Sequence, residues 1–193
     1  SVGYMINIIK KYKNNFKHIT NYYDFLVEKT KQHKYVDIPN EWLIDNYYIL
    51  AEHNNLIKNI FKELTKNYKL IKSNYNILSN IITKYKYNIS FNTLVNELKK
   101  YQKENRKIFT YKELKYILPT LSFIYVDKLN SICEKEYIKF VDKEEIENII
   151  KQKKNICLED IIGANFDLKN NMHYIYEINN QIGHVKDSSE LFK

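Results

Sequence analysis

Trp42, Asp45 and Asn46 bring an indole ring, a carboxylate and an amide within about one helical turn, in the stretch NEWLIDNYYILAEHN at residues 40–54. An aromatic face beside two hydrogen-bonding groups is equipment for holding a sugar ring, provided that those groups reach solvent. The same residues also suit a structural role. A buried amide left unpaired costs on the order of 1–3 kcal/mol, so Asn46 needs a partner, and a polar network there would fix helix register. At about 100° per residue, Trp42, Asn46, Ile49, His53, Leu56, Ile57, Ile60 and Leu64 share one helical face, with Asp45 and Glu52 at its edge. Leu43, Leu50 and Phe61 flank its other side.

Other chemistry is thinly supplied. Cys133 and Cys157 form no CxxC pair and have no His or Cys neighbour at zinc-ligand spacing, which points to free thiols in a reducing compartment. Asp167, Asn171 and Glu177 resemble part of a calcium loop, without the glycine at its sharp turn or the acid at its end. No GxGxxG, P-loop or GxSxG stretch occurs. Neither a metal nor a cofactor is expected, and no catalytic residue is assigned.

The charge balance narrows the partners. The formal net charge is +8, but 30 of the 31 basic residues are Lys, and the lone Arg106 cannot supply the bidentate forks of base and phosphate recognition. The lysines are interspersed with acids, so specific nucleic-acid binding is not expected. The longest apolar run, YILPTLSFIYV, falls well short of the ~20 residues of a membrane span.

The elements that must position these residues are helices. Three Gly and two Pro are too few for a fold of tight hairpins, and apolar residues recur at spacings of three and four. We expect an all-α, antiparallel bundle of about six to seven helices, with a core over 4–140, a smaller helical part over 141–182 and a polar tail over 183–193. The first helix covers Tyr4 to His33, with a break near His18 to Asn21. Pro39 opens the second, which runs to about Leu64. The third spans Asn67 to Tyr85, and Ser90 caps the fourth. Thr110 to Glu113, TYKE, is a capping box opening the fifth, with a kink at Pro119. A second box, Asp142 and Glu145, opens a helix to about Lys153. LEDIIG reads as a short helix stopped by Gly163, and Asn171 to Ile182 adds a last one. The second and fifth helices should be central.

The stretch at 40–54 resembles the EWLLDN-F/Y-H-ϕ-ϕ-E-E-Q element, with ϕ apolar, near the start of cyclic β-1,2-glucan synthetases, large membrane-bound bacterial enzymes. In that family, two helices later, an apolar segment ends in Tyr-Gln and precedes an L-T-x-x-E-L helix. Here the order is LVNELKKYQ at 94–102 and FTYKELKYILPTLSFIYVDKL at 109–129. Trp42, Asp45, Asn46, Glu52, Tyr101, Gln102, Thr110, Glu113, Leu114, Asp127 and Leu129 match by position or by type. Departures include Tyr48 in place of His, Ala51 and His53 in place of Glu and Gln, and a displaced Pro119.

The resemblance implies a helical region ahead of the transferase machinery of a longer protein that uses UDP-glucose. Its role would be a non-catalytic scaffold or regulatory region at the cytoplasmic face, with the parent in the inner or plasma membrane. The partners so implied are the remainder of the parent chain and glucan. The alternative is a stand-alone module that binds a protein or, through Trp42, Asp45 and Asn46, a carbohydrate.

Overall fold

The computed structural model describes residues 2–34, 36–152 and 166–184, and every regular element among them is a helix. The long helices are α1 (Val2–Lys31), α2 (Ile38–Lys58), α4 (Tyr68–Lys84), α5 (Phe91–Glu104), α7 (Ile117–Gln152) and α8 (Phe166–His184). Two short ones, α3 (Phe61–Lys66) and α6 (Tyr111–Lys115), link them. The all-α bundle expected from composition and periodicity is what the chain forms.

Helix starts follow local chemistry. The Asp37 carboxylate accepts the Asn40 amide to cap α2, with Pro39 in the first turn, where its missing N–H has no helical partner to lose. Ser90 caps α5 through the Thr93 amide. Thr110 and Glu113 close a reciprocal capping box at α6.

Five expectations change. First, α1 runs unbroken through His18 to Asn21. Second, α2 stops at Lys58, and a break at Asn59 and Ile60 redirects the chain into α3, which still delivers Leu64 to the core. Third, the capping box opens only the five-residue α6. The chain breaks at Tyr116 and restarts, so Pro119 is the third residue of α7 and no mid-helix kink is needed. Pro119→Ala should therefore change stability by no more than about 2 kcal/mol, measured by urea denaturation. Relief of an interior kink would instead add roughly 3 kcal/mol. Fourth, Asp142 opens no helix, because α7 passes straight through it and across the boundary expected at 141. Fifth, α8 begins at Phe166 and ends at His184, so Gly183 is helical. LEDIIG, Cys157 and residues 185–193 lie outside the described residues.

The centre of the bundle is α7. Residues 116–126 are all buried, so this end of the helix is enclosed on every side, as a helix apolar all round must be. Its buried hydroxyls are satisfied locally: Thr120 Oγ1 donates to the Tyr116 carbonyl at 2.7 Å and Ser122 Oγ to that of Leu118 at 3.2 Å. Around it pack α1, α4 and α8, while α2 lies against both α1 and α8. The pairs Tyr22 with Asn40 and Tyr12 with Asn54 set α1 and α2 antiparallel. Between α1 and α7, Tyr12 meets Phe123, Asn15 meets Asp127 and Phe25 meets Phe140, so these two helices, distant in sequence, run parallel. From α8, Met172, Ile175 and Ile178 enter the same core as Leu43, Leu50 and Leu129. No described helix is long and apolar enough to cross a membrane.

Candidate functional site

The residues singled out in sequence fall into three places. On α2, Trp42 is half-buried against the core, Asn46 is half-buried, and Asp45 and Glu52 are exposed. Asn46 finds its partner on its own helix, donating from Nδ2 to the Trp42 carbonyl at 2.8 Å. Among the described residues no interhelical network passes through it, and the inward face is rotated from the expected one. Leu43, Leu50 and Ile57, spaced by seven, are fully buried together with His53, whereas Trp42 and Asn46 sit on the shoulder. An indole, an amide and an imidazole therefore do not share one buried stripe; only the imidazole is enclosed. Its Nδ1 lies 2.7 Å from Asn179 Oδ1 on α8, and Asn179 Nδ2 donates to the Ile49 carbonyl at 3.1 Å, a contact that fixes the amide's orientation. Since Asn179 Oδ1 only accepts, the neutral imidazole carries its proton on Nδ1.

Tyr101, Gln102, Thr110 and Glu113 converge on the connection between α5 and α6. Tyr101 stacks on Phe109 with ring centroids 6.1 Å apart, and Gln102 Oε1 accepts the Phe109 amide at 2.8 Å. Glu113, buried, accepts the Thr110 amide at 3.2 Å and pairs with Lys107 Nζ at 2.8 Å. Burial pushes the Glu113 carboxyl up, but the Lys107 ammonium and the Thr110 amide outweigh it and hold it below the usual carboxylate range. The spacing from Tyr101 to Glu113 thus builds a clasp around residues 105–110, in which Arg106 takes a positive φ of 48°.

Asp127 belongs to a polar seam between α1 and α7 that the sequence did not reveal. Its Oδ1 accepts Asn15 Nδ2 at 3.0 Å and lies 3.2 Å from Lys11 Nζ. Asn15 Oδ1 in turn accepts from Asn130 Nδ2 at 3.1 Å, and that same nitrogen reaches Glu134 Oε1 at 3.3 Å. Two turns further along α1, Tyr22 donates to Asn40 Oδ1 at 2.6 Å, and Asn40 Nδ2 donates to Asp37 Oδ1 at 2.7 Å, tying α1 to the start of α2. Glu136, buried, lies 3.5 Å from Asn40 Nδ2 and from Lys139 Nζ.

Between these two polar groups opens a cleft of about 350 Å³. Tyr22, Phe25 and Tyr137 supply its aromatic walls, Asn130 and Cys133 line it from α7, and Glu134 stands at its rim. Its volume is at the lower end of the range for small-molecule sites, roughly 300–1,000 Å³. The Cys133 thiol is raised far above its ordinary range by burial, then by Glu136 and Glu134, so it is a poor nucleophile at neutral pH. No cluster of three or more His, Cys, Asp or Glu able to hold a metal occurs among the described residues. Trp42, Asp45 and Asn46 do not line this cleft. Residues 22 and 137 are too far apart in sequence for any local spacing to announce it. No family model matches the chain, and no curated protein or solved structure matches it either.

Proposed function

We propose that this chain is a non-catalytic helical scaffold or regulatory region of a cyclic β-1,2-glucan synthase, acting at the cytoplasmic face beside a membrane-embedded transferase that uses UDP-glucose. The observation that carries the reading is the clasp. Four of the residues behind the family resemblance, Tyr101, Gln102, Thr110 and Glu113, act on one another or on the loop between them, so their order and spacing have a structural purpose. A scaffold needs such residues for shape, and none of them need touch a substrate. Ile108 and Tyr111, 87% and 62% exposed, flank the same clasp and offer apolar surface to the remainder of a parent chain.

The test is turnover together with the reading frame. The isolated chain incubated with UDP-glucose should release no UDP, and the transcript should continue past the Lys193 codon into apolar spans. Release of UDP by the isolated chain would sink the scaffold reading. A frame that closes without any apolar span would favour a stand-alone interaction module.

A further inference from the structure

We propose that the connection between α5 and α6 docks on an anionic lipid bilayer, with Ile108 and Tyr111 entering the headgroup boundary and the cations around them meeting the lipid phosphates. The first observation is an isoleucine that the fold holds in water. At 87%, Ile108 is the most exposed of the large hydrophobic side chains among the described residues. Its neighbours on both sides are tied inward. Phe109 is buried and stacked on Tyr101, and its amide donates to Gln102 Oε1 at 2.8 Å. Lys107 donates its amide to the Gln102 carbonyl at 2.9 Å, and its ammonium lies 2.8 Å from Glu113. Anchored on either side, Ile108 is left standing out of the loop. Tyr111, also exposed, opens α6 three residues later. A loop already ordered by such contacts gives up little further entropy when its tip is covered.

The second observation is the charge beside that tip. Over the whole chain lysines and acids are interspersed, but between Lys99 and Lys112 six cations accompany one acid, Glu104. Glu104 lies 3.9 Å from Lys100, and Lys107 is held by Glu113. The other four cations, Lys99, Lys103, Arg106 and Lys112, are exposed. Lys103 sits in the last turn of α5, Arg106 two residues before Ile108, and Lys112 directly after Tyr111.

Ile108 and Tyr111 can be covered by a parent's protein or by the lipid around it, and this charge selects lipid. Lysine is depleted at the centres of protein interfaces, where binding energy comes from a larger group of buried side chains than these two. A bilayer surface asks for less. Apolar tips enter at the level of the headgroups, where tyrosine is favoured, and Lys or Arg beside them attracts anionic lipid. Each cation held near such a surface is worth about fivefold in partitioning.

Co-sedimentation of the full chain with vesicles tests the assignment without reference to the glucan synthase identity. At an ionic strength of about 0.1 M, phosphatidylcholine vesicles with about one-third phosphatidylglycerol should bind the chain at least about tenfold more tightly than phosphatidylcholine alone. Ile108→Ser leaves the charge untouched and should weaken binding to the anionic vesicles about tenfold. Lys103→Gln combined with Lys112→Gln should weaken it about 25-fold. Lys31→Gln combined with Lys135→Gln removes the same charge from exposed positions at the far end of α1 and about five turns along α7, and should change binding by less than about twofold. Unaltered circular dichroism melts of the variants would show that their folds are intact. The proposal is overturned if anionic vesicles do not sediment the chain, which would leave a protein as the cover for Ile108. It is equally overturned if Ile108→Ser binds as tightly as the unaltered chain, or if the distant pair of lysines matters as much as the near pair, since either result would reduce the contact to adsorption by net charge.

Discussion

Replacing Tyr12 by Ala should cost about 3–5 kcal/mol, enough to unfold much of the population of a marginally stable domain. Tyr12 is buried where four helices meet. From α1 its ring stands edge-on to Phe61 of α3 at 5.8 Å and to Phe123 of α7 at 5.4 Å, and its hydroxyl donates to Asn54 of α2 at 3.2 Å. Truncation opens a cavity that cannot collapse, because its walls belong to separate helices already held by other contacts. Tyr12→Phe keeps the ring and loses only the partly buried hydrogen bond, so it should cost about 1 kcal/mol. Urea denaturation of the two variants decides the matter. If Tyr12→Phe costs as much as Tyr12→Ala, the hydroxyl and not the packed ring secures this junction.

Tyr12 could be read as a core residue because it lies on a stripe with Phe16 and Ile19, and stripes are local. Three helix starts were legible for the same reason: Pro39, Ser90 and Thr110 act within the first turn that they open. Helix stops were harder. α1, α4 and α5 end at left-handed residues that are not glycine, namely His33, Lys86, Tyr87 and Arg106, with φ between 48° and 62°. Such positions cost roughly 1–2 kcal/mol each and are recovered by packing and by the capping bonds that follow, such as Lys107 N–H to the Gln102 carbonyl at 2.9 Å. Nothing in residue type marks them. The face of α2 was misjudged because it was centred on the largest side chain. The residues that share the true seam, Leu43, Leu50 and Ile57, look ordinary, while Trp42 can lean across from the shoulder. The cleft was illegible for a deeper reason: its walls are more than a hundred residues apart in sequence and meet only when α7 returns parallel to α1.

Between pH 6.5 and pH 4 the protein should lose on the order of 3 kcal/mol of stability through His53 alone. Complete burial lowers the His53 pKa to about 4, and the contact with Asn179 only partly opposes this. The unfolded chain, with an ordinary imidazole near 6.5, binds the proton first as pH falls through that window. The contribution is therefore whole above pH 6.5, declines as acid is added, and is gone below about pH 4. The carboxylates that ion pairs or hydrogen bonds hold below their usual range, Glu63, Glu97 and Glu113, act later. Their contributions are present above about pH 4.5 and fade only as pH falls further. The two windows can thus be separated by denaturation midpoints at pH 7, 5.5 and 4.5. Replacing both partners, His53→Leu with Asn179→Leu, removes the titrating group without leaving a buried oxygen unpaired, and should flatten the slope above pH 5. His53 and Asn179 join α2 to α8, so amide exchange at that seam should quicken before exchange in α7 does. A double variant that lost stability between pH 6.5 and 5 as steeply as the parent would show that some other group carries the acid sensitivity.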